Sequence, residues 1–223
     1  MHEFALAKGI MLLSDTLTEL PLQNGPSSNE TKGGPQLIIV GRLTKYKGIQ
    51  DIIEIIPLLL KDFPDLRLII VGRGSYELKL TQLIKDLKLE THAIIVGYVP
   101  VDEKMRLYTQ SQLNLVPSYK EGFPTPLIES AFVGIPTLVP NRIGLKEFVM
   151  DEETGFLYAC EGFLHPRPNS PNLAVKIASI LHREDHRRKV GLAAKKIYTN
   201  IDIDNNETKF FEDFTDVLSG EHA

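Results

Sequence analysis

"QLIIVGRLTKYKGIQDIIEIIPLLLKDFPDLRLIIVGRGS", Gln36–Ser75, reads as a strand, a helix and a second strand in succession. Two short apolar runs, QLIIVG (Gln36–Gly41) and LRLIIVG (Leu66–Gly72), each end in glycine. Their apolar residues are continuous and do not alternate with polar ones, which implies strands buried on both faces. Between them, GIQDIIEIIPLLLKDF carries apolar residues at helical spacing. The unit is therefore a β-α-β crossover joining parallel strands.

The same alternation continues. AIIVGYV (Ala93–Val99), LNLVPS (Leu113–Ser118), PTLVP (Pro136–Pro140) and TGFLYA (Thr154–Ala159) read as further strands. SYELKLTQLIKDLKL, DEKMRLYTQS and a segment starting near Pro126 read as the intervening helices. The fold class is α/β, a doubly wound parallel sheet of the Rossmann kind over roughly residues 36–160. Helical segments NLAVKIASIL, DHRRKVGLAAKKIY and NNETKFFEDFTDVL follow. The last gathers Phe210, Phe211, Phe214, Val217 and Leu218 on one face, to pack on the sheet domain or on a second domain.

Upstream, LPLQNGPSSNETKGGP (Leu20–Pro35) is dense in Pro, Gly, Ser and Asn, the composition of a linker or long exposed loop. In MHEFALAKGIMLLSD, Glu3 and Lys8 break the pattern of a signal peptide, leaving a short helix, a piece of linker or an unstructured end. The expected organisation is an N-terminal segment and linker at 1–35, the Rossmann-like domain at 36–200, and a C-terminal helix at 201–223.

Composition narrows the function. A net charge of −4 argues against a general nucleic-acid binder, which needs clustered cations along a phosphate backbone. A small phosphorylated ligand needs only two or three local positive groups and stays allowed. A single cysteine, Cys160, excludes an internal disulfide and a cysteine-based metal cluster, and suits a reducing compartment. No apolar run approaches the roughly 20 residues of a membrane-spanning helix. The six histidines are scattered; His182 and His186 stand four apart, but a new helix is expected to open at Asp185, leaving both as solvated surface.

In doubly wound sheets, ligands bind beyond the carboxyl ends of the strands. After the first strand, GRLTKYKG offers Arg42 and Lys47, a fork and a point charge before a helix start. By themselves, with Lys45 a nearby third, they read better as solvated surface cations. After the second strand, Gly72 and Gly74 flank Arg73 in VGRGS, a tight turn without a full GxGxxG fingerprint. After the third, the backbone of Tyr98 and Val99 could lie along a flat ring or simply leave the strand.

The fourth connection, PSYKEGFPTPLIESAFVGIPTLV, is the informative one. Phe123 and Thr125 precede prolines, which holds both residues extended, and Pro126 suits a first helical turn. Glu121 should lie at the loop's start and Glu129 in the helix's first turn, facing the same crevice. Two such carboxylates can accept hydrogen bonds from the hydroxyls at both ends of a nucleotide sugar. Taken singly, Glu129 is equally a charge near a helix N-terminus and Glu121 a solvated loop residue.

GRLTKYKG, LRLIIVGRGS, VGYVP, LVPSYKEGFPTPLIESAFVGIPTLVPN and DEETGFL, in that order and spacing, resemble the C-terminal, donor-binding half of GT-B-fold retaining glycosyltransferases, the "glycosyl transferases group 1" family. The resemblance spans roughly Leu37 to Leu157, and its most specific element is the Glu-x7-Glu pair followed by GIP. It implies that Arg42 and Lys47 hold the donor diphosphate and stabilise its developing charge. Glu121 would contact the transferred sugar, making Arg42, Lys47 and Glu121 the catalytic set. Glu129 would bind the ribose. Gly72, Val99, Gly122, Phe123, Pro124 and Thr125 would line the nucleotide and sugar. No metal or other cofactor is expected, since cationic side chains and a helix dipole take that part. The loop NRIGLKE (Asn141–Glu147) departs from the family's glycine pair and proline, matching only at Gly144 and Glu147.

The resemblance covers one GT-B half with C-terminal helices. The implied function is hexosyltransferase-like transfer, with retention, from a nucleoside-diphosphate sugar to an acceptor hydroxyl. The half would be inactive by itself, because the acceptor would bind a missing N-terminal half or a separate chain. A cytoplasmic location is expected, with a missing domain as the route to a membrane. The alternative is a non-catalytic nucleotide- or partner-binding module.

Overall fold

The computed structural model describes residues 33–122, 124–161, 167–168 and 170–200. The 1–32 segment and the 201–223 helix expected from sequence lie outside them, as does Phe123. Six strands form one parallel sheet: β1 Gln36–Val40, β2 Arg67–Val71, β3 Ala93–Gly97, β4 Leu113–Leu115, β5 Thr137–Pro140 and β6 Phe156–Tyr158. Their spatial order is β3-β2-β1-β4-β5-β6. The chain thus winds outward from β1 in one direction, then returns to β1 and winds in the other. A short antiparallel pair, β7 Cys160–Glu161 and β8 Arg167–Pro168, follows.

Six α-helices cover the sheet: α1 Ile49–Leu59, α2 Glu77–Asp86, α3 Val101–Thr109, α4 Thr125–Phe132, α5 Ser170–His182 and α6 Glu184–Asn200. One core joins α1, α2 and α5 to one sheet face through Leu37, Ile39, Leu68 and Ile70. On the other face, Ile38, Ile69 and Val71 meet Met105 and Tyr108 of α3, and Val116 and Val139 meet α4 and α6. Successive residues of β1 and β2 therefore enter opposite cores, which is why their sequences are apolar without alternation.

Helix α1 is apolar over most of its circumference because α5 covers its outer side. Ile52, Ile53, Ile55 and Ile56 are all fully buried, each contributing about 1.5–3 kcal/mol by removal from water. Strand β3 differs from the expectation of burial on both faces: Ile94 and Val96 are exposed. It is the sheet's edge strand, with β2 as its neighbour, so the helices reach over only one of its sides.

The new helix after His182 opens at Glu184, close to the expected Asp185. His186 is not simply solvated. Its Nε2 lies 2.9 Å from Glu152 Oε2, and Glu152 also accepts hydrogen bonds from Lys176 and Arg183. The His182 ring lies against Phe63, with centroids 4.8 Å apart. Glu152 thus fastens the β6 approach to α5 and α6. Among the described residues, no helix is long and apolar enough to cross a membrane.

Candidate functional site

The strand order reverses between β1 and β4, so the loops leaving these two strands diverge and open a crevice at their carboxyl ends. Arg42, Lys47, Pro117, Ser118 and Pro126 line a small hollow there. A single 3-10 turn, Lys45–Lys47, leads from β1 into α1. The turn ends at Gly48, whose φ of 67° is left-handed, and a Cβ there would lie 2.1 Å from the Pro117 carbonyl oxygen. Only glycine lets the two diverging loops approach this closely.

That approach brings Lys47 to the loop after β4. Its ammonium lies 2.5 Å from Glu121 Oε2, with both side chains mostly covered. Arg42 is exposed at the same hollow and donates from Nη2 to Tyr46 Oη at 3.0 Å. On the far side of Glu121 sits the loop after β5. A Cβ at Gly144 (φ 88°) would lie 2.5 Å from the Glu121 carbonyl oxygen. Gly144 N–H donates to Glu147 Oε2 at 2.8 Å, so the two positions that match the family pattern brace each other behind Glu121.

Glu129 is placed differently from the sequence expectation. Helix α4 starts at Thr125 and has no acidic residue in its first turn; Glu129 follows in the second. It is 3% exposed, and its carboxylate is turned toward α3. Lys104 meets Oε1 at 2.5 Å, and the Tyr108 hydroxyl donates toward Oε2 at 3.1 Å. Burial pushes the Tyr108 phenol far up, and the Glu129 charge adds to it, so Tyr108 stays a neutral donor. A carboxylate has about four lone-pair positions, so Glu129 keeps acceptor capacity beyond these two partners.

The start of α4 is held by a second buried polar group. Asn114 in β4 donates from Nδ2 to the Pro126 carbonyl at 3.0 Å and to Thr137 Oγ1 at 3.0 Å. It also reaches Ser130 Oγ. Proline at the helix's N-cap leaves no side chain to cap that end, and Asn114 instead ties the first turn down onto β4 and β5. Pro124 is buried and Thr125 half-buried beside it, while Gly122 is exposed. Gly72 donates its N–H to the Gly97 carbonyl at 2.8 Å and abuts Gly41 where β1 and β2 end. Val99 packs partly against the α3 core, and Tyr98 beside it is 73% exposed.

Lys47 and Glu121 therefore meet at one rim, with Arg42 beside them, and Glu129 lies further along in α4, turned to α3. Lys104, Tyr108 and Asn114 were not singled out from the sequence. Lys104 and Tyr108 stand one helical turn apart in DEKMRLYTQS, a spacing that any amphipathic helix shows. Asn114 did leave a trace, as the one polar residue inside the apolar run LNLV.

An open parallel sheet wound both ways from β1, with cationic loops at its reversal point, defines the protein as a Rossmann-like α/β domain. The model of the family described as Glycosyl transferases group 1 matches residues 23–197, and the chain belongs to that family. It is 35% identical to an uncharacterized glycosyltransferase of Haemophilus influenzae over 127 residues, 56% of this chain and 35% of that protein. The pneumococcal O-GlcNAc transferase GtfA, solved with UDP and GlcNAc, superposes with a TM-score of 0.71 at 22% identity, over 87% of this chain and 38% of that one. The C-terminal domain of a Francisella tularensis glycosyl transferase group 1 protein superposes with a TM-score of 0.64 at 24% identity, over 74% of this chain and 84% of that domain. The chain spans half or less of the length of curated relatives that it matches.

Proposed function

We propose that this chain is the donor-binding half of a retaining glycosyltransferase. A nucleoside-diphosphate sugar would lie across the carboxyl ends of β1 and β4, with its diphosphate toward Arg42 and Lys47. The transferred sugar would face Glu121, and the ribose would reach toward Glu129. The reading is carried by the Lys47–Glu121 pair at the rim of the β1/β4 hollow, beside the exposed Arg42. A diphosphate competes with Glu121 for Lys47, and sugar hydroxyls give Glu121 new partners in return.

In the reaction, the bond between the anomeric carbon and the diphosphate oxygen breaks, and negative charge gathers on the departing diphosphate. Arg42 and Lys47 stand where that charge develops, each able to contribute about 1.5–3 kcal/mol through charge-assisted hydrogen bonds. The acceptor hydroxyl gives its proton to the departing diphosphate oxygen, and its oxygen bonds to the same face of the sugar that the diphosphate leaves. Rate enhancement usually takes about 8 kcal/mol or more, much of it from aligning two reactants. An acceptor-binding half in the same protein or a second chain would supply that alignment, in keeping with the share of its relatives that this chain covers.

Titration of the isotope-labelled chain with UDP and then UDP-sugars, followed by NMR, tests the reading. Saturable shifts at Arg42, Lys47 and the start of α4 are expected at micromolar to millimolar ligand, weakened by Arg42→Ala and by Glu129→Ala. No perturbation of these residues by any nucleoside diphosphate at millimolar concentration would refute it.

A further inference from the structure

We infer that Tyr119 is a positioning residue of the candidate site: it fastens the loop after β4 to the first turn of α1 and so sets where the Glu121 carboxylate stands. The immediate neighbours of Glu121 give it little support. Lys120 and Gly122 are exposed, and a Cβ added at Gly122 would meet nothing within 4 Å. Gly144 backs Glu121 from the other side, but against its carbonyl oxygen and not its side chain.

Two residues upstream the loop is tied down twice. The Tyr119 N–H donates to the Tyr46 carbonyl at 2.8 Å, inside the 3-10 turn that carries Lys47. The Tyr119 hydroxyl donates to Asp51 Oδ2 at 2.5 Å and accepts from Gln50 Nε2 at 2.8 Å. Asp51 is 4% exposed and lies in the first turn of α1, where the helix end favours a carboxylate. A hydrogen bond to an ionised group is stronger than a neutral one, and losing it leaves a buried charge one donor short. The ring also packs at the seam of the two loops: its Cε1 is 3.2 Å from the place a Cβ would take on Gly48.

One short stretch, Tyr46–Asp51, therefore takes Tyr119 by backbone and hydroxyl and takes Glu121 by its carboxylate, through Lys47. A shift of Tyr119 reaches Glu121 across a single exposed residue. A carboxylate that is to meet sugar hydroxyls must be closely placed, because small misplacements of binding groups are costly. That consequence for the sugar rests on the donor-binding reading; the hold on the Lys47–Glu121 pair does not.

The test follows the Glu121 carboxyl carbon and the Lys47 ammonium nitrogen by NMR in the whole isotope-labelled chain, then titrates UDP, UDP-glucose and UDP-N-acetylglucosamine. Tyr119→Phe, which removes one oxygen atom, should move both signals toward those of unpaired side chains. Asp51→Asn keeps an acceptor for the hydroxyl and should disturb them less than Asp51→Ala. Ser111→Ala removes a buried hydroxyl, bonded to the Leu107 carbonyl at 2.8 Å, before the opposite end of β4. It is the control for lost stability as such and should leave both signals in place. In binding, Tyr119→Phe should imitate Glu121→Ala. UDP is held as tightly as before, and the ratio of the UDP-sugar to the UDP dissociation constant rises by about tenfold. In a Glu121→Ala background the same change should add nothing to that ratio. If none of the three ligands binds the natural chain while Tyr119→Phe releases the pair, the donor reading fails and the positioning stands. The inference is overturned if Tyr119→Phe leaves the Glu121 and Lys47 signals where they are, or if it lowers stability while the ratio stays unchanged.

Discussion

Glu121 and Glu129 leave the same connection, and each meets a lysine ammonium at 2.5 Å, yet their surroundings differ. Glu121 stands in a loop and Lys47 in a one-turn helix, and among the described residues neither is hydrogen-bonded to a second side chain. Glu129 sits inside α4, 4% exposed at the side chain, with Lys104 and Tyr108 on separate oxygens. Parting the first pair exchanges one set of partners for another at the edge of the hollow, where both side chains keep some contact with water. Parting the second strands a charge in a dry interior, where the loss of one partner is far more costly. A motif of two glutamates thus contains two devices: one that can change partners when a ligand arrives, and one that keeps its partners and offers what acceptor capacity remains.

The contrast is easiest to break at Lys104. Lys104→Ala leaves the Glu129 carboxylate buried without its cation, and should cost roughly 3 kcal/mol of folding stability, read from the midpoint of urea denaturation. A loss no larger than that of a surface substitution would put the two pairs in one class. Arg42→Ala should leave stability nearly unchanged and weaken UDP by about 1.5–3 kcal/mol, measured by calorimetric titration. An equal loss of stability would mean that Arg42 belongs to the scaffold.

Glu121→Ala sharpens the comparison in a different way. It removes the competitor for Lys47, so UDP should bind as well as before or slightly better, while a UDP-sugar loses its advantage over UDP. The ratio of the two dissociation constants is the measurement, and an unchanged ratio would remove Glu121 from the sugar. The smallest effect is expected at Glu152, which serves as a purely structural reference. Hydrogen bonds from Arg183, Lys176 and His186 lower its carboxyl from the ordinary 4.5 to about 2. Between those values the unfolded chain binds more protons, so the stabilisation is complete above about pH 4.5 and disappears as pH falls toward 2. Because Glu152 is more than a third exposed, solvent limits the gain to about 1 kcal/mol or less. Glu152→Gln should flatten the pH dependence of the urea midpoint across that window; an unchanged slope would deny the clamp.

How far the sequence could be read follows from the range of the forces involved. Strand and helix identity is local: short apolar runs, three of them leading into glycine, announced six strands in the right places, and helical spacing announced the helices between them. The edge position of β3 was not local, since AIIVG looks as buried as LIIVG until the strand order is known. The rim residues were legible because they lie in loops directly after strands, where the winding rule says ligands collect. Lys104, Tyr108 and Asn114 were not, because each acts on a residue brought close only when α3, β4 and α4 pack together. By itself, then, the sequence determined an α/β sheet wound through parallel crossovers and a cationic loop facing an acidic one. Which carboxylate stands at the rim and which is locked inside was decided by tertiary packing, because burial and ion pairing depend on neighbours that the order of residues along the chain does not reveal.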